Sequence, residues 1–138
     1  MIEWEDKFSV GISIIDEQHK KFIEIINKAI VAKEHNDNPE ELKDLLYRIT
    51  KHAILHFSTE EVYMIESNYI EYIRHKKEHH DFEKKTLSYY KKVADGCYQI
   101  TNEKLEHLKQ WVVNHIQGTD KKYVNCFKSN SLKYSSLN

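Results

Sequence analysis

Four stretches of this chain carry an apolar residue at every third or fourth position, a period that is buried only when helices pack stripe against stripe. The first stripe is Ile15, His19, Phe22, Ile23, Ile26 and Ile30, opposed by Lys20, Lys21, Glu24 and Lys28. The second is Leu42, Leu46, Ile49, Ala53, His56, Glu60 and Met64. The third holds Tyr72, His75, His79, Phe82, Tyr89 and Val93, and the fourth Leu105, Leu108, Trp111, Val112, His115 and Ile116. Start and stop signals fall between them. Asp16 is placed to cap the first helix, which fades into His35-Asn36-Asp37-Asn38. Asn38-Pro39-Glu40-Glu41 opens the second, which ends near Ser67-Asn68. The third begins around Tyr69 and stops at Gly96; the fourth begins at Thr101 and ends at Gly118. The connections are short, so consecutive helices are antiparallel neighbours. The expected fold is all-α, an up-down-up-down antiparallel four-helix bundle.

Residues 1–16 hold Trp4, Phe8, Val10, Ile12, Ile14 and Ile15 with Gly11 among them, and read as an apolar arm lying across the bundle. Tyr123, Val124 and Phe127 suggest a short C-terminal helical segment. Three glycines and one proline leave no linker, so residues 1–128 are expected to form one domain, with residues 129–138 a frayed tail. A formal net charge of −1 gives no electrostatic footprint for nucleic acid or an anionic membrane. No apolar run approaches the ~18–20 residues of a membrane span. The start, Met1-Ile2-Glu3-Trp4-Glu5-Asp6, lacks the basic and apolar blocks of a secretory signal. Cys97 and Cys126 make no disulfide framework. A cytoplasmic protein with reduced thiols is the expectation.

The informative residues are polar ones on apolar stripes. His75 and His79, four apart, point the same way on a helix. Alone, such a pair serves equally as a metal site, a catalytic pair or two polar residues on a wet face. His19, His56 and His115 also stand where leucine would otherwise pack, and Glu60 lies on the face of His56 one turn later. An unpaired buried carboxylate costs several kcal/mol. His19 lies near the start of the first helix, His56 near the end of the second, His75 and His79 near the start of the third, and His115 near the end of the fourth. In an antiparallel bundle these are one end. Asp120, just past Gly118, is placed to turn a carboxylate back toward that end. Five imidazoles and two carboxylates exceed the needs of one tetrahedral zinc and suit two iron-like ions sharing bridging carboxylates. His80 and His35 are expected outside the cluster, and His52 and His107 are expected to be solvated.

The pattern Ile15-Asp16-Glu17-Gln18-His19, His56-Phe57-x-x-Glu60-Glu61, His75-x-x-x-His79 and Trp111-x-x-x-His115-Ile116-x-x-x-Asp120 resembles the bacterial branch of the hemerythrin family. The likeness spans residues 4 to about 127, and Trp4 and Gly11-Ile12 share in it. It implies two non-haem irons joined by an oxo or hydroxo group. One iron would be held by His75, His79 and His115, the other by His19 and His56, with Glu60 and Asp120 bridging. It also implies reversible O2 binding at the open position of the second iron and no catalytic residues of an enzyme. Phe22, Ile23, Phe57, Trp111, Val112 and Ile116 are the expected apolar wall around that O2. A di-iron peroxidase, or a protein that removes nitric oxide or oxygen, would use the same site. His75-Lys76-Lys77-Glu78-His79 also matches the H-x-x-E-H string of inverted zincin peptidases. That reading leaves His19, His56, Glu60, His115 and Asp120 without a role.

Overall fold

Helix α1 (Ser13–His35) is followed by α2 (Pro39–Glu66), α3 (Tyr72–Ala94) and α4 (Asn102–Asn114). The computed structural model describes residues 3–35, 37–96 and 98–126, and has no strand among them. Asn36, Cys97, Phe127 and the expected tail from 129 lie outside the described residues. Consecutive helices run antiparallel. α1 packs against both α2 and α4, and α2 packs between α1 and α3. The fold is the expected four-helix bundle. At about 1.5 Å per residue, the 28-residue α2 is ~42 Å long.

Local chemistry sets the helix ends. Asn38 Oδ1 accepts from the N–H groups of Glu40 (2.9 Å) and Glu41 (3.3 Å), with Pro39 at the first helical position. α2 closes on Asn68 at φ 54, a left-handed conformation that asparagine tolerates and that lets the chain reverse into α3. Gly96, at φ 76, ends α3 as its position suggested. Thr101 caps α4 by accepting from the N–H of Lys104 (3.2 Å).

Three boundaries differ from the sequence reading. α1 begins at Ser13, so Asp16 lies in its first turn and is not its cap. Its carboxylate instead holds the arm, accepting from the Val10 N–H (2.8 Å) and the Ser9 hydroxyl (2.5 Å). α3 begins at Tyr72, with Tyr69 left in the turn. Gly118 does not stop the fourth helix. The chain passes through it in a π-helical turn, His115–Thr119, and then a 3₁₀ turn, Asp120–Tyr123, that leads into residues 124–126 in helical conformation.

The arm makes one 3₁₀ turn, Asp6–Phe8, and buries Phe8 and Val10. Phe8 joins the main core, while Val10 packs with Ile15, Met64 and Tyr123 in a smaller cluster. The Lys121 ammonium donates to the Ser9 carbonyl and ties arm to C-terminal turn. Replacing Asp16 by Ala removes two charge-assisted hydrogen bonds and should lower unfolding free energy by about 1–2 kcal/mol. Proteolysis in the arm should also speed up. A denaturation midpoint and cleavage rate equal to those of the parent chain would show that the arm is held by burial of Phe8 and Val10 alone.

Candidate metal centre

Nine buried side chains among the described residues are polar or charged, and seven of them are the expected site residues. The other two, Thr50 and Thr86, donate to the carbonyls of Leu46 and Glu83 within their own helices. His19, His56, Glu60, His75, His79, His115 and Asp120 have no such local outlet. All converge on one end of the bundle, each 5 % exposed or less.

How Asp120 reaches them is a matter of helix pitch. In an α-helix, a residue five after His115 points ~140° away from it. The π turn changes this. Asp120 N–H donates to the His115 carbonyl, an i to i+5 bond, and the wider coil brings both side chains to the same interior. Asp120 Oδ1 then lies 3.1 Å from His115 Nε2 and 2.9 Å from His75 Nε2, and its Oδ2 lies 3.1 Å from His19 Nε2. Glu60 Oε1 lies 2.7 Å from His56 Nε2 and 3.8 Å from His79 Nε2.

These atoms form two groups. His75, His79 and His115 gather with Glu60 and Asp120; His19 and His56 gather with the same two carboxylates. In each group the donor atoms lie within 4.8 Å of one another. His115 Nε2 is 3.2 Å from both His75 Nε2 and His79 Nε2. One proton cannot serve both contacts, so a lone pair is left facing a lone pair. The four oxygens of Glu60 and Asp120 are buried, and no donor is aligned for a hydrogen bond to them although imidazoles lie within ion-pair distance. A donor set that protons cannot satisfy, rich in imidazole and with two shared carboxylates, fits a pair of divalent-type cations.

An outer ring of residues turns the histidines inward, and sequence reasoning missed most of it. His56 Nδ1 donates to Gln18 Oε1 (2.8 Å), and His79 Nδ1 to Glu61 Oε2 (2.9 Å). His115 Nδ1 lies 3.3 Å from Glu78 Oε2. Each helper is the chain neighbour of one site residue and serves a histidine on the next helix. Gln18 follows α1 to α2, Glu61 α2 to α3, and Glu78 α3 to the end of α4. A signal existed in the string, a polar residue beside each site residue, but only the packing shows which ring it meets. Gln18 is otherwise occupied: its amide donates to Thr59 (3.1 Å) and its carbonyl accepts from His52 Nε2 (2.7 Å). His52 is therefore half-buried beside the cluster, against the expectation that it is solvated. His35, His80 and His107 are exposed as expected.

Burial by itself would raise both carboxylates. The facing imidazoles outweigh it, holding Asp120 well below its usual range and Glu60 below its own. Burial also opposes charge on His115, yet Asp120, Glu78 and Glu60 around it raise it to about 10. His79 goes the other way: burial dominates and lowers it to about 3. Burial lowers His56 and His52 as well. Glu78 is drawn down to about 2 by His115 beside it. Tyr123, stacked on His75 at 5.7 Å, is raised well above the phenol range by burial and by Glu60 and Asp120.

Aromatic and aliphatic groups close the site. Phe57 stacks on His79 at 3.9 Å and Trp111 on His115 at 4.4 Å. A narrow gap, too tight for a water molecule, lies against His19, His56, His115 and Asp120, walled by Phe22, Phe57, Trp111, Val112 and Ile116. Five of the six expected wall residues line it. Ile23 does not. It lines an adjoining narrow gap with Ile26, Asn27, Lys109 and Val112, because one step along α1 turns it ~100° from Phe22 toward α4. Val112 lines both.

Comparison with known proteins agrees with this geometry. Residues 10–127 match the family model described as the hemerythrin HHE cation binding domain. The chain is 32% identical over 128 residues to a bacteriohemerythrin of Clostridium acetobutylicum, covering 90% of this chain and 99% of that one. It is 32% identical over 120 residues to a hemerythrin-like protein of Naegleria gruberi, covering 87% and 88%. A crystal structure of wild-type hemerythrin superposes with a TM-score of 0.86 at 26% identity, covering 92% of this chain and 98% of the other.

Two predictions follow from the geometry and charge. Glu60→Ala removes a carboxylate common to both donor groups, whereas Glu61→Ala removes only the partner of His79 Nδ1. Metal content after gel filtration should fall far more in the first variant, and equal retention would count against a shared role for Glu60. The second concerns the metal-free protein in acid. His52, His56 and His79 are depressed when folded, so below pH ~6.5 the unfolded chain takes up protons that the folded one refuses. Stability should drop from pH 7 to pH 5 and continue down toward the value of about 3 for His79. His115 acts oppositely, its contribution being complete below pH ~6.5 and lost only as pH rises through about 10. An equal or higher denaturation midpoint at pH 5 than at pH 7 would overturn this balance.

Proposed function

The chain belongs to the hemerythrin family, and from that premise we propose that it binds O2 reversibly at a di-iron centre built from this cluster. The observation that carries the reading is the pair of donor groups sharing Glu60 and Asp120. In this assignment His75, His79 and His115 would hold one iron and His19 and His56 the other, with Glu60 and Asp120 available to both. The iron pair, when bound, supplies the electrons that make O2 binding strong and reversible.

The protein's part is to prepare and protect. Gln18 and Glu61 keep the protons of His56 and His79 on Nδ1, and Glu78 draws that of His115 the same way. Their Nε2 lone pairs then face the cluster. The group with two imidazoles has fewer donors, and both of its rings border the gap, which His115 of the other group also reaches. Its wall has no polar side chain apart from the donors themselves. Such a wall admits a small apolar gas and disfavours water, because an unpartnered polar group costs roughly 2–7 kcal/mol to bury. The lack of a separate acid or nucleophile at that wall supports binding over turnover. We place this activity in the cytoplasm, a reading that rests on two cysteines too few and too isolated for a disulfide framework. No helix among the described residues is long and apolar enough to cross a membrane.

The test is metal analysis with visible spectra of anaerobically loaded protein before and after air. Two irons per chain and bands that appear with O2 and vanish under vacuum are expected. One zinc per chain would sink the assignment, and rapid bleaching with peroxide consumption would indicate a peroxidase. Val112→Ser should keep iron content while the oxygenated spectrum decays several-fold faster, since a hydroxyl and extra room invite water into the gap. Decay at the parent rate in Val112→Ser and in Ile116→Ser alike would mean that this wall does not protect the oxygenated form.

A further inference from the structure

The outward side of α2 carries a second apolar stripe that the bundle leaves uncovered. Ile54, Leu55, Val62 and Ile65 are 47, 58, 53 and 56 % exposed. Measured from Ser58, itself exposed, all four fall within ~60° of one line along the helix. Single exposed aliphatic residues are ordinary. Four on one stripe over three turns make a continuous face, so α2 is apolar on two opposite sides while the core covers only one.

The sequence along this stripe says what fits it. Ile54 and Leu55 stand four and three residues before Ser58; Val62 and Ile65 stand four and seven after it. A two-fold axis at Ser58, with two copies of α2 antiparallel, sets Ile54 level with Val62 of the partner copy and Leu55 one residue from it, while the partner's Ile65 lies level with Lys51 and less than a turn beyond Ile54. The charges agree with that arrangement. Arg48 and Lys51 lie before the stripe and Glu66 lies after it on the same flank, so the axis brings each basic pair beside the partner copy's Glu66. A parallel pairing would instead set like charges side by side. Ser58 at the crossing is small enough for the helices to approach closely.

We propose that the outer face of α2 is a self-complementary surface through which two copies of this chain associate as an antiparallel, two-fold dimer centred on Ser58. Four half-exposed side chains on one helix fall short of the ~800 Å² per partner of a standard interface, so the dimer exchanges with monomer as concentration changes. The surface lies ~160° around α2 from His56 and Glu60. It leaves the gap at Val112, on α4, open in both copies, and it requires nothing of the metal assignment.

Sedimentation of the iron-loaded full chain over a wide concentration range is the test. A reversible monomer–dimer equilibrium is expected. Leu55→Glu should leave helicity and iron content intact and abolish the dimer. Lys51→Glu or Glu66→Lys alone should weaken association by about tenfold, since each sets like charges across the interface. The double variant should dimerise more tightly than either single one. Ser58→Cys, in a chain with Cys97→Ser and Cys126→Ser, should cross-link to itself on mild oxidation. A chain monomeric at every concentration would overturn the proposal, as would a dimer indifferent to Leu55→Glu. A dimer that Leu55→Glu breaks, but that neither cross-links at position 58 nor recovers in the double charge variant, would overturn the antiparallel register.

Discussion

Two carboxylates and five imidazoles sit out of water at one end of a helical bundle, and most of what is unusual in the structure answers to that. Burying an ion without a partner costs several kcal/mol. The imidazoles facing Asp120 and Glu60 offset part of this and hold the pKa of both carboxyls below the usual range. Three of the Nε2 atoms also crowd one another, that of His115 lying 3.2 Å from those of His75 and His79. The end of the bundle is therefore a strained electrostatic arrangement until positive charge enters. The acid sensitivity expected of this end and its fit to a pair of cations have the same origin.

Holding those groups needs more than the groups themselves. A ring free to turn about χ2 presents either nitrogen, so a donor set of five histidines is loose unless something fixes each ring. Gln18, Glu61 and Glu78 do this across helix boundaries, each rooted beside one site residue and reaching a histidine of the following helix. The consequence is mechanical. The helices cannot slide past one another without breaking a ring contact, so the site and the packing register hold each other in place. The arm contributes by closing the same end, with Val10 against Tyr123 and Lys121 on the Ser9 carbonyl.

The two sides of the cluster differ in kind. Phe57, Trp111 and Tyr123 lie flat on the rings of His79, His115 and His75, which leaves little room there. Both rings of the group with two imidazoles border the apolar gap, where only His115 of the other three does. In the proposed assignment this asymmetry, together with the smaller number of histidines, would leave one position open. It is also where a single aliphatic residue, Val112, separates the gap at the cluster from the next one toward the surface.

Much of this was legible in the chain before folding. The 3.6-residue period of the four stripes requires helices, the short connections require antiparallel neighbours, and histidines in leucine positions at one common end require a shared partner. Those are local or near-local facts, and side-chain direction on a helix follows from sequence spacing alone. What the spacing could not give was the path by which Asp120 reaches the site. In an unbroken α-helix its side chain points away from His115, and Gly118 reads as a stop. Only the tertiary structure, where the imidazoles of His19 and His75 reward a carboxylate at that point, selects a π turn over a break. The same holds for His52, drawn in by the Gln18 carbonyl, for Ile23, turned toward α4, and for Asp16, which anchors the arm instead of capping α1. Each of these depends on a contact between elements distant in sequence, and no local periodicity carries that information.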